Sequence, residues 1–265
     1  MTALNVTPAQ AATQIIIGHR GMSTSNIPEN TKLSFTTAAP DADELETDIR
    51  WTRDPSGSPD RTIVLHHDAT LDRMTNCSGR VKDWYYADIA LKCRTDVNGP
   101  AQPVMKLSEL LPLAKTYGKR LVLEIKVGDI TDHQARQFWN QVKTYSPATA
   151  SPRIQVHAFN GTTMNSVKKI KALDLADANY NLRYGYIALG SNPPSAASVL
   201  AIGPNLHIGM EVPTTSVAAY KAKGIRVFLW VGRTEADYAL MVSKAPNGVV
   251  VDDPKRFKTW YVNNV

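Results

Sequence analysis

The sequence predicts an α/β barrel of parallel strands in one domain, and three observations carry that expectation. From Gln14 onwards, short β-branched or apolar runs alternate with amphipathic stretches, the pattern of parallel strands joined by crossover helices. The length, 265 residues, is close to the roughly 250 that a closed barrel uses as a single domain. A last apolar run, Gly248 to Val251, follows a helix-like stretch at Thr234 to Ser243 and would close the sheet on itself.

Taken in order, strands are expected at Gln14 to Gly18, Glu44 to Arg50, Thr62 to His66, Arg120 to Lys126, Ile154 to Ala158, Leu182 to Ala188, His207 to Glu211 and Arg226 to Val231, ahead of the closing run. That is one strand more than an eight-stranded barrel needs. The Thr62 run follows the Glu44 strand through the turn-rich segment Asp54-Pro-Ser-Gly-Ser-Pro-Asp60, so it is either an independent barrel strand or a paired neighbour. About 40 residues then separate His67 from the next convincing helix, Leu107 to Tyr117, where loops of such units take roughly 2 to 6. An insertion over approximately residues 69–105 is therefore expected, leaving from a strand's C-terminal end and placed to cover a site. Cys77 and Cys93 both fall inside it at a spacing that suits a local disulfide and lacks the paired CxxC of a zinc site. Such a bond would stabilise a segment too small for its own core by roughly 3 kcal/mol.

Composition excludes several classes. Thirty basic and 24 acidic side chains give a net charge of +6, but Lys and Arg never run longer than the pair Lys168-Lys169, so no nucleic-acid footprint is present. No apolar run is long enough for a transmembrane segment. A disulfide between Cys77 and Cys93 would imply an oxidising compartment, and with the small-residue stretch Pro8 to Thr13 this favours a secreted or extracellular protein over a cytoplasmic one. A monomer is expected.

Chemistry concentrates on two strands. In Glu44-Leu-Glu-Thr-Asp-Ile49 the period of two puts Glu44, Glu46 and Asp48 on one face, with Leu45 and Ile49 towards the helices. A solvated edge strand would show the same alternation. However, Arg120-Leu-Val-Leu-Glu-Ile-Lys126 repeats it, setting Glu124 beside Lys126. Carboxylates pointing into a barrel need a cation or matched donors, and Glu46, Asp48 and Glu124 would make an oxygen site for Ca²⁺ or Mg²⁺. Histidines end two other strands, His19 with Arg20 beside it and His66-His67 before Asp68, which suggests an acid/base pair around an anionic group held by Arg20 and Lys126.

Read together, His19-Arg-Gly21, Pro28-Glu-Asn-Thr31, Ala42-Asp-Glu-Leu-Glu-Thr-Asp-Ile49, Thr52-Arg-Asp54, His67-Asp-Ala-Thr-Leu-Asp-Arg73, Leu123-Glu-Ile-Lys126, Trp230 and Asp252-Asp-Pro254 resemble the glycerophosphodiester phosphodiesterases over nearly the whole chain. The resemblance implies a (β/α)8 TIM barrel with a small insertion after the His67-Asp68 strand. It implies metal-dependent hydrolysis of a glycerophosphodiester to glycerol 3-phosphate and an alcohol. By position it implies His19 and His67 as acid/base pair, Glu46, Asp48 and Glu124 as metal ligands, Arg20 and Lys126 as phosphate contacts, and Trp230 as a pocket wall. The nucleophile it leaves open between the substrate's own glycerol hydroxyl and water. Glu29 and Asn30 are expected to be structural, at the start of the first helix, and Arg233 to face solvent. Departures from the family pattern surround the pocket. One extra residue lies between Gly21 and Pro28, Val231-Gly-Arg233 replaces the usual residues after the tryptophan, and His157-Ala-Phe159 stands where a serine often precedes the phenylalanine. Two rival readings are phospholipase D-like cleavage of lipid headgroups on the same barrel and a non-catalytic phosphodiester-binding module. The first group lacks the motifs at His19 and Pro28, and the second would have lost a histidine or a ligand carboxylate.

Overall fold

The computed structural model describes residues 14–53, 61–95, 97–146, 153–159, 161–177 and 182–265. The stretch Pro8 to Thr13 and the turn-rich segment Asp54 to Asp60 lie outside them. In chain order the strands are β1 (Ile15–Gly18), β2 (Glu44–Trp51), β3 (Ile63–Leu65), β4 (Arg120–Ile125), β5 (Ile154–Phe159), β6 (Arg183–Ala188), β7 (Asn205–Gly209), β8 (Arg226–Gly232) and β9 (Gly248–Val251). Eight of them form a parallel sheet in the order β1-β9-β8-β7-β6-β5-β4-β2, and a further β1–β2 pairing closes it into a barrel. The helices α1 (Lys32–Ala38), α2 (Tyr86–Lys92), α3 (Leu107–Thr116), α4 (Asp132–Val142), α5 (Thr162–Ala176), α6 (Ala196–Ile202), α7 (Thr214–Ala222), α8 (Glu235–Ser243) and α9 (Pro254–Asn264) follow the strands around the outside, with α2 set apart in the insertion.

The surplus strand is β3. It pairs antiparallel with β2, Ile49 opposite Leu65 and Trp51 opposite Ile63, so the first of the two sequence options is excluded. β2 continues above the barrel rim and β3 runs back down beside it. His66 and His67 therefore do not end a barrel strand. They are returned to the rim by the second arm of a hairpin, with the His66 N–H donating to the Asp48 carbonyl at 3.0 Å. The seventh strand is displaced by two residues from its predicted span, which leaves Glu211 in the following turn, where it accepts from the Gly190 N–H at 3.0 Å.

Local sequence explains where helices begin. Thr31, Thr131 and Thr234 each accept from the backbone N–H three residues on, which satisfies one of the donors that an α-helix start leaves open, and Asp253 does the same for α9 with Pro254 in the first turn. Packing follows the strand period. Leu45, Ile49, Leu121, Leu123, Ile125, Ile154 and Val156 face outwards into the layer between sheet and helices and are almost wholly buried. Inside the barrel, Ile17, Val122, Phe228 and Val250 form a small apolar plug. Below it Glu44 is held by Arg120 at 2.8 Å and by the Gln155 amide at 2.5 Å, so this first carboxylate of the acidic strand belongs to the barrel floor and not to the upper site.

Cys77 and Cys93 form a disulfide. The insertion nevertheless has a core, contrary to the expectation from its size: Val64, Leu71, Val81, Ile89, Cys93 and Val104 pack together as a cluster separate from that of the barrel. β3 contributes Val64 to it, which ties the insertion to the hairpin that carries His67.

Candidate active site

Glu46 and Asp48 point inwards from β2, and Glu124 from the neighbouring β4, in register with Asp48. One oxygen of each lies within 4.8 Å of the others, and all three side chains are buried. Burial together with the charges of Asp48 and Glu124 pushes Glu46 well above the usual carboxylate range. Burial and Asp48 push Glu124 up to about 7. Asp48 goes the other way. Burial would raise it, but Arg20, Lys126, His67 and the Asn30 amide at 2.9 Å outweigh that and hold it well below the ordinary value. Two strained carboxyls beside an ionised one, in an all-oxygen donor set, fit a hard divalent cation.

Two basic side chains border this cluster. Lys126 Nζ lies 2.6 Å from Glu124 and 3.3 Å from Asp48. Arg20 donates from one guanidinium nitrogen to both oxygens of Glu29 at 2.9 Å and approaches Asp48 at 3.3 Å. Its main chain adopts a left-handed conformation with φ of 54°, which aims the Arg20 N–H at Glu46 Oε2, 2.8 Å away. Asn30 is likewise left-handed, at φ 56°, and its N–H bonds to the Arg20 carbonyl at 3.0 Å. Non-glycine residues enter this region at a cost of about 1 to 3 kcal/mol each, and these two do so at the site. Gly21 completes the turn, because a Cβ there would come within 2.6 Å of Ser34 Oγ.

Glu29 and Asn30 thus differ from the expectation. The helix start is capped by Thr31, while Glu29 receives Arg20 and Arg73 and Asn30 bridges Thr47 to Asp48. Both orient groups of the site.

The two histidines are built alike. His19 Nδ1 pairs with Asp252 at 2.6 Å and His67 Nδ1 pairs with Asp68 at 2.7 Å. Each aspartate is gripped in turn by an arginine, Arg233 on Asp252 at 2.8 Å and Arg73 on Asp68. Burial opposes ionisation of both, but bonds from His19 and Arg233 lower Asp252, and bonds from Arg73 and His67 bring Asp68 down to about 2. An ionised carboxylate can only accept, so Nδ1 of each ring carries the proton and Nε2 is left to take up or deliver one. Burial, together with Arg20 and Lys126, lowers His67 against the opposing pull of Asp48 and Asp68, which favours the neutral ring. Arg233, expected to face solvent, is 62% exposed yet lines the pocket and holds Asp252.

Sequence reasoning missed the roles of Asp68, Asp252 and Arg73. A signal existed for Asp252. It follows the last strand as His19 follows the first, and those two strands are neighbours once the barrel closes. Arg50 was missed as well: its guanidinium donates to the His67 carbonyl at 3.0 and 2.7 Å and to the Lys126 carbonyl at 3.4 Å, fixing the backbone on both sides of the rim.

The pocket, about 160 Å³, is bordered by His19, Arg20, Glu46, His67, Glu124 and Lys126 on its polar side. Phe159, Ile187 and Trp230 form the apolar side, Phe159 and Trp230 meeting edge to face at 5.8 Å. His207 lies at the floor, stacked on Phe228 and edge-on to the wholly buried His157. Gly185 admits the His157 ring, since a Cβ at that position would meet it at 2.5 Å.

Comparison with known proteins adds three findings. Residues 19–256 match the model of the glycerophosphoryl diester phosphodiesterase family. A glycerophosphodiester phosphodiesterase of Caldanaerobacter subterraneus is 26% identical over 249 residues, covering 91% of this chain and 95% of that protein. Among solved structures, an Oleispira antarctica phosphodiesterase in complex with the product sn-glycerol-3-phosphate superposes with a TM-score of 0.76 at 20% identity, covering 93% of this chain and 96% of the other. A glycerophosphodiester phosphodiesterase from Thermotoga maritima does so with a TM-score of 0.66 at 20% identity, covering 93% and 98%. The two structures establish the common fold.

Proposed function

The chain belongs to the glycerophosphoryl diester phosphodiesterase family, and from that membership we propose that it hydrolyses glycerophosphodiesters to glycerol 3-phosphate and a free alcohol, with His19 and His67 exchanging protons across the scissile phosphate. The observation that carries this reading is the pair of carboxylate-backed imidazoles facing one tri-carboxylate cluster in a single pocket.

Each residue then has a chemical task. Arg20 and Lys126 neutralise the phosphate oxygens, and because both are already fixed by carboxylates they need little reorganisation when charge develops. Of the two rings, one removes a proton from the nucleophile and the other delivers one to the departing alcohol oxygen, each contributing roughly 10² to 10⁴ in rate. Asp68 and Asp252 keep the rings in the required tautomer and stabilise each while it is protonated. Glu46, Asp48 and Glu124 would hold a divalent cation, Ca²⁺ or Mg²⁺. When bound it supplies Lewis-acid stabilisation of the phosphate. Trp230, Phe159 and Ile187 give the alcohol an apolar wall that excludes water.

Release of glycerol phosphate from glycerophosphocholine, measured with and without chelator, tests the proposal. Activity that is abolished by EDTA and restored by Ca²⁺ or Mg²⁺ is expected, whereas full activity in EDTA would remove the cation from the account. His19→Ala and His67→Ala should each abolish turnover with the fold intact, and a wild-type rate in either would withdraw that ring's role. We also propose an exported protein, for which the Cys77–Cys93 disulfide is the support.

A further inference from the structure

Beside the catalytic pocket lies a second cavity of about 360 Å³ with a different character. Five of its lining residues are basic: Arg50, Arg61, Arg80, Lys82 and Lys126. No carboxylate lines it among the described residues. Its apolar base is Trp51 and Val81, both almost completely buried, so the cations stand over a fixed surface. The two cavities meet at Lys126, which lines both.

Two of these cations, Arg50 and Arg80, have no counter-ion among the described residues. Arg50 is largely buried, yet its guanidinium is bonded only to the carbonyls of His67 and Lys126 and has no carboxylate within ion-pair distance among the described residues. Arg80 is exposed and its side chain forms neither an ion pair nor a hydrogen bond among the described residues. The 3-10 turn Val81–Asp83 of the insertion carries Lys82 to the same edge.

We infer that this cavity is a second anion subsite, which receives a phosphate group carried by the alcohol side of the substrate. The inference rests on the hydrolytic reading above and narrows it: the preferred diester is one whose leaving alcohol itself bears phosphate, either as a terminal monoester or as the next diester of a short oligomer. A phosphate seated between Arg50, Arg80 and Lys82 would gain charge-assisted hydrogen bonds while its neighbour occupies the catalytic pocket on the far side of Lys126.

The test compares kcat/KM at low salt for three substrates: glycerophosphoglycerol, the same diester phosphorylated on its distal glycerol, and a linear trimer of glycerol phosphate units. The wild-type enzyme should favour one or both of the phosphorylated substrates by about tenfold or more, the strength of one added charge-assisted bond. A preference for the monoester over the trimer, or the reverse, identifies the source of the phosphate. The double variant Arg80→Glu with Lys82→Glu, both exposed, should erase that preference while changing glycerophosphoglycerol turnover by less than about twofold. Equal ratios in variant and wild type, or no preference in the wild type, would overturn the subsite. If no substrate is turned over, the hydrolytic proposal fails on its own. The subsite is then decided by calorimetric titration with the trimer, where binding lost in the double variant upholds it and binding retained, or absent from both proteins, refutes it.

Discussion

Cation binding to this protein should depend steeply on pH, and the dependence follows from Glu124. Burial and the Asp48 charge raise that carboxyl from 4.5 to about 7, and only its ionised form is a ligand. A group titrating there is ionised in about 3% of molecules at about pH 5.5 and in about 90% at about pH 8. Affinity should therefore weaken about 30-fold between the two, or about 2 kcal/mol. Glu46, also raised, steepens the fall. Stability without cation should move in the opposite sense. A carboxyl whose folded value lies above its unfolded one stabilises the fold at acid pH, and that contribution disappears as pH rises from 4.5 through about 7, a share on the order of 3 kcal/mol for Glu124. Isothermal titration with Mg²⁺ and Ca²⁺ at three pH values, in two buffers of different ionisation enthalpy, gives both Kd and the protons released. Urea melts in EDTA and in excess cation give the stability difference. A Kd constant within about threefold over this range, with no proton released, would refute the reasoning.

The carboxylates behind the histidines should matter nearly as much as the rings. Asp252→Asn and Asp68→Asn are each expected to lower kcat by roughly 10² to 10⁴ with an unchanged circular dichroism spectrum, and a fall of less than tenfold would reduce that aspartate to packing. Gly185→Ala should destabilise the barrel by about 1 to 3 kcal/mol in urea, because its Cβ meets the His157 ring at 2.5 Å. Pairing that change with His157→Ala should recover part of the loss, and failure to recover any would place the clash elsewhere. Replacing both Cys77 and Cys93 by alanine should cost about 3 kcal/mol by the same melts, with hydrogen exchange rising first in the insertion.

The strand period made the site visible early because it is a local property. Alternation alone set Glu46 with Asp48 and Glu124 with Lys126, and the structure keeps those pairings. What local pattern could not show is which way a strand runs. The Thr62 run carries the same β-branched residues whether it joins the barrel in parallel or folds back as a hairpin, and only the pairing of Ile49 with Leu65 distinguishes the two. The same limit hid the arginines. Arg73 and Arg233 are ordinary polar residues in sequence, and their meaning comes from carboxylates set beside them by the tertiary fold. Glu44 gives the converse lesson: it shares a face with Glu46, but one layer lower the available partners are Arg120 and Gln155, so the same residue type becomes part of the floor.

The bond from His19 to Asp252 joins residues 233 positions apart across the β1–β9 seam. A chain that has folded everything up to α8 would already possess both imidazoles, all three carboxylates and the disulfide, and still present His19 with no partner to fix its tautomer. Zipping the seam and arming the first histidine are a single event. Because contacts of such long sequence separation form late, partly folded species should be catalytically silent even when most of their helix content is in place. Recovery of activity during refolding should then lag behind recovery of far-ultraviolet ellipticity, and the enzyme reports on its own barrel closure.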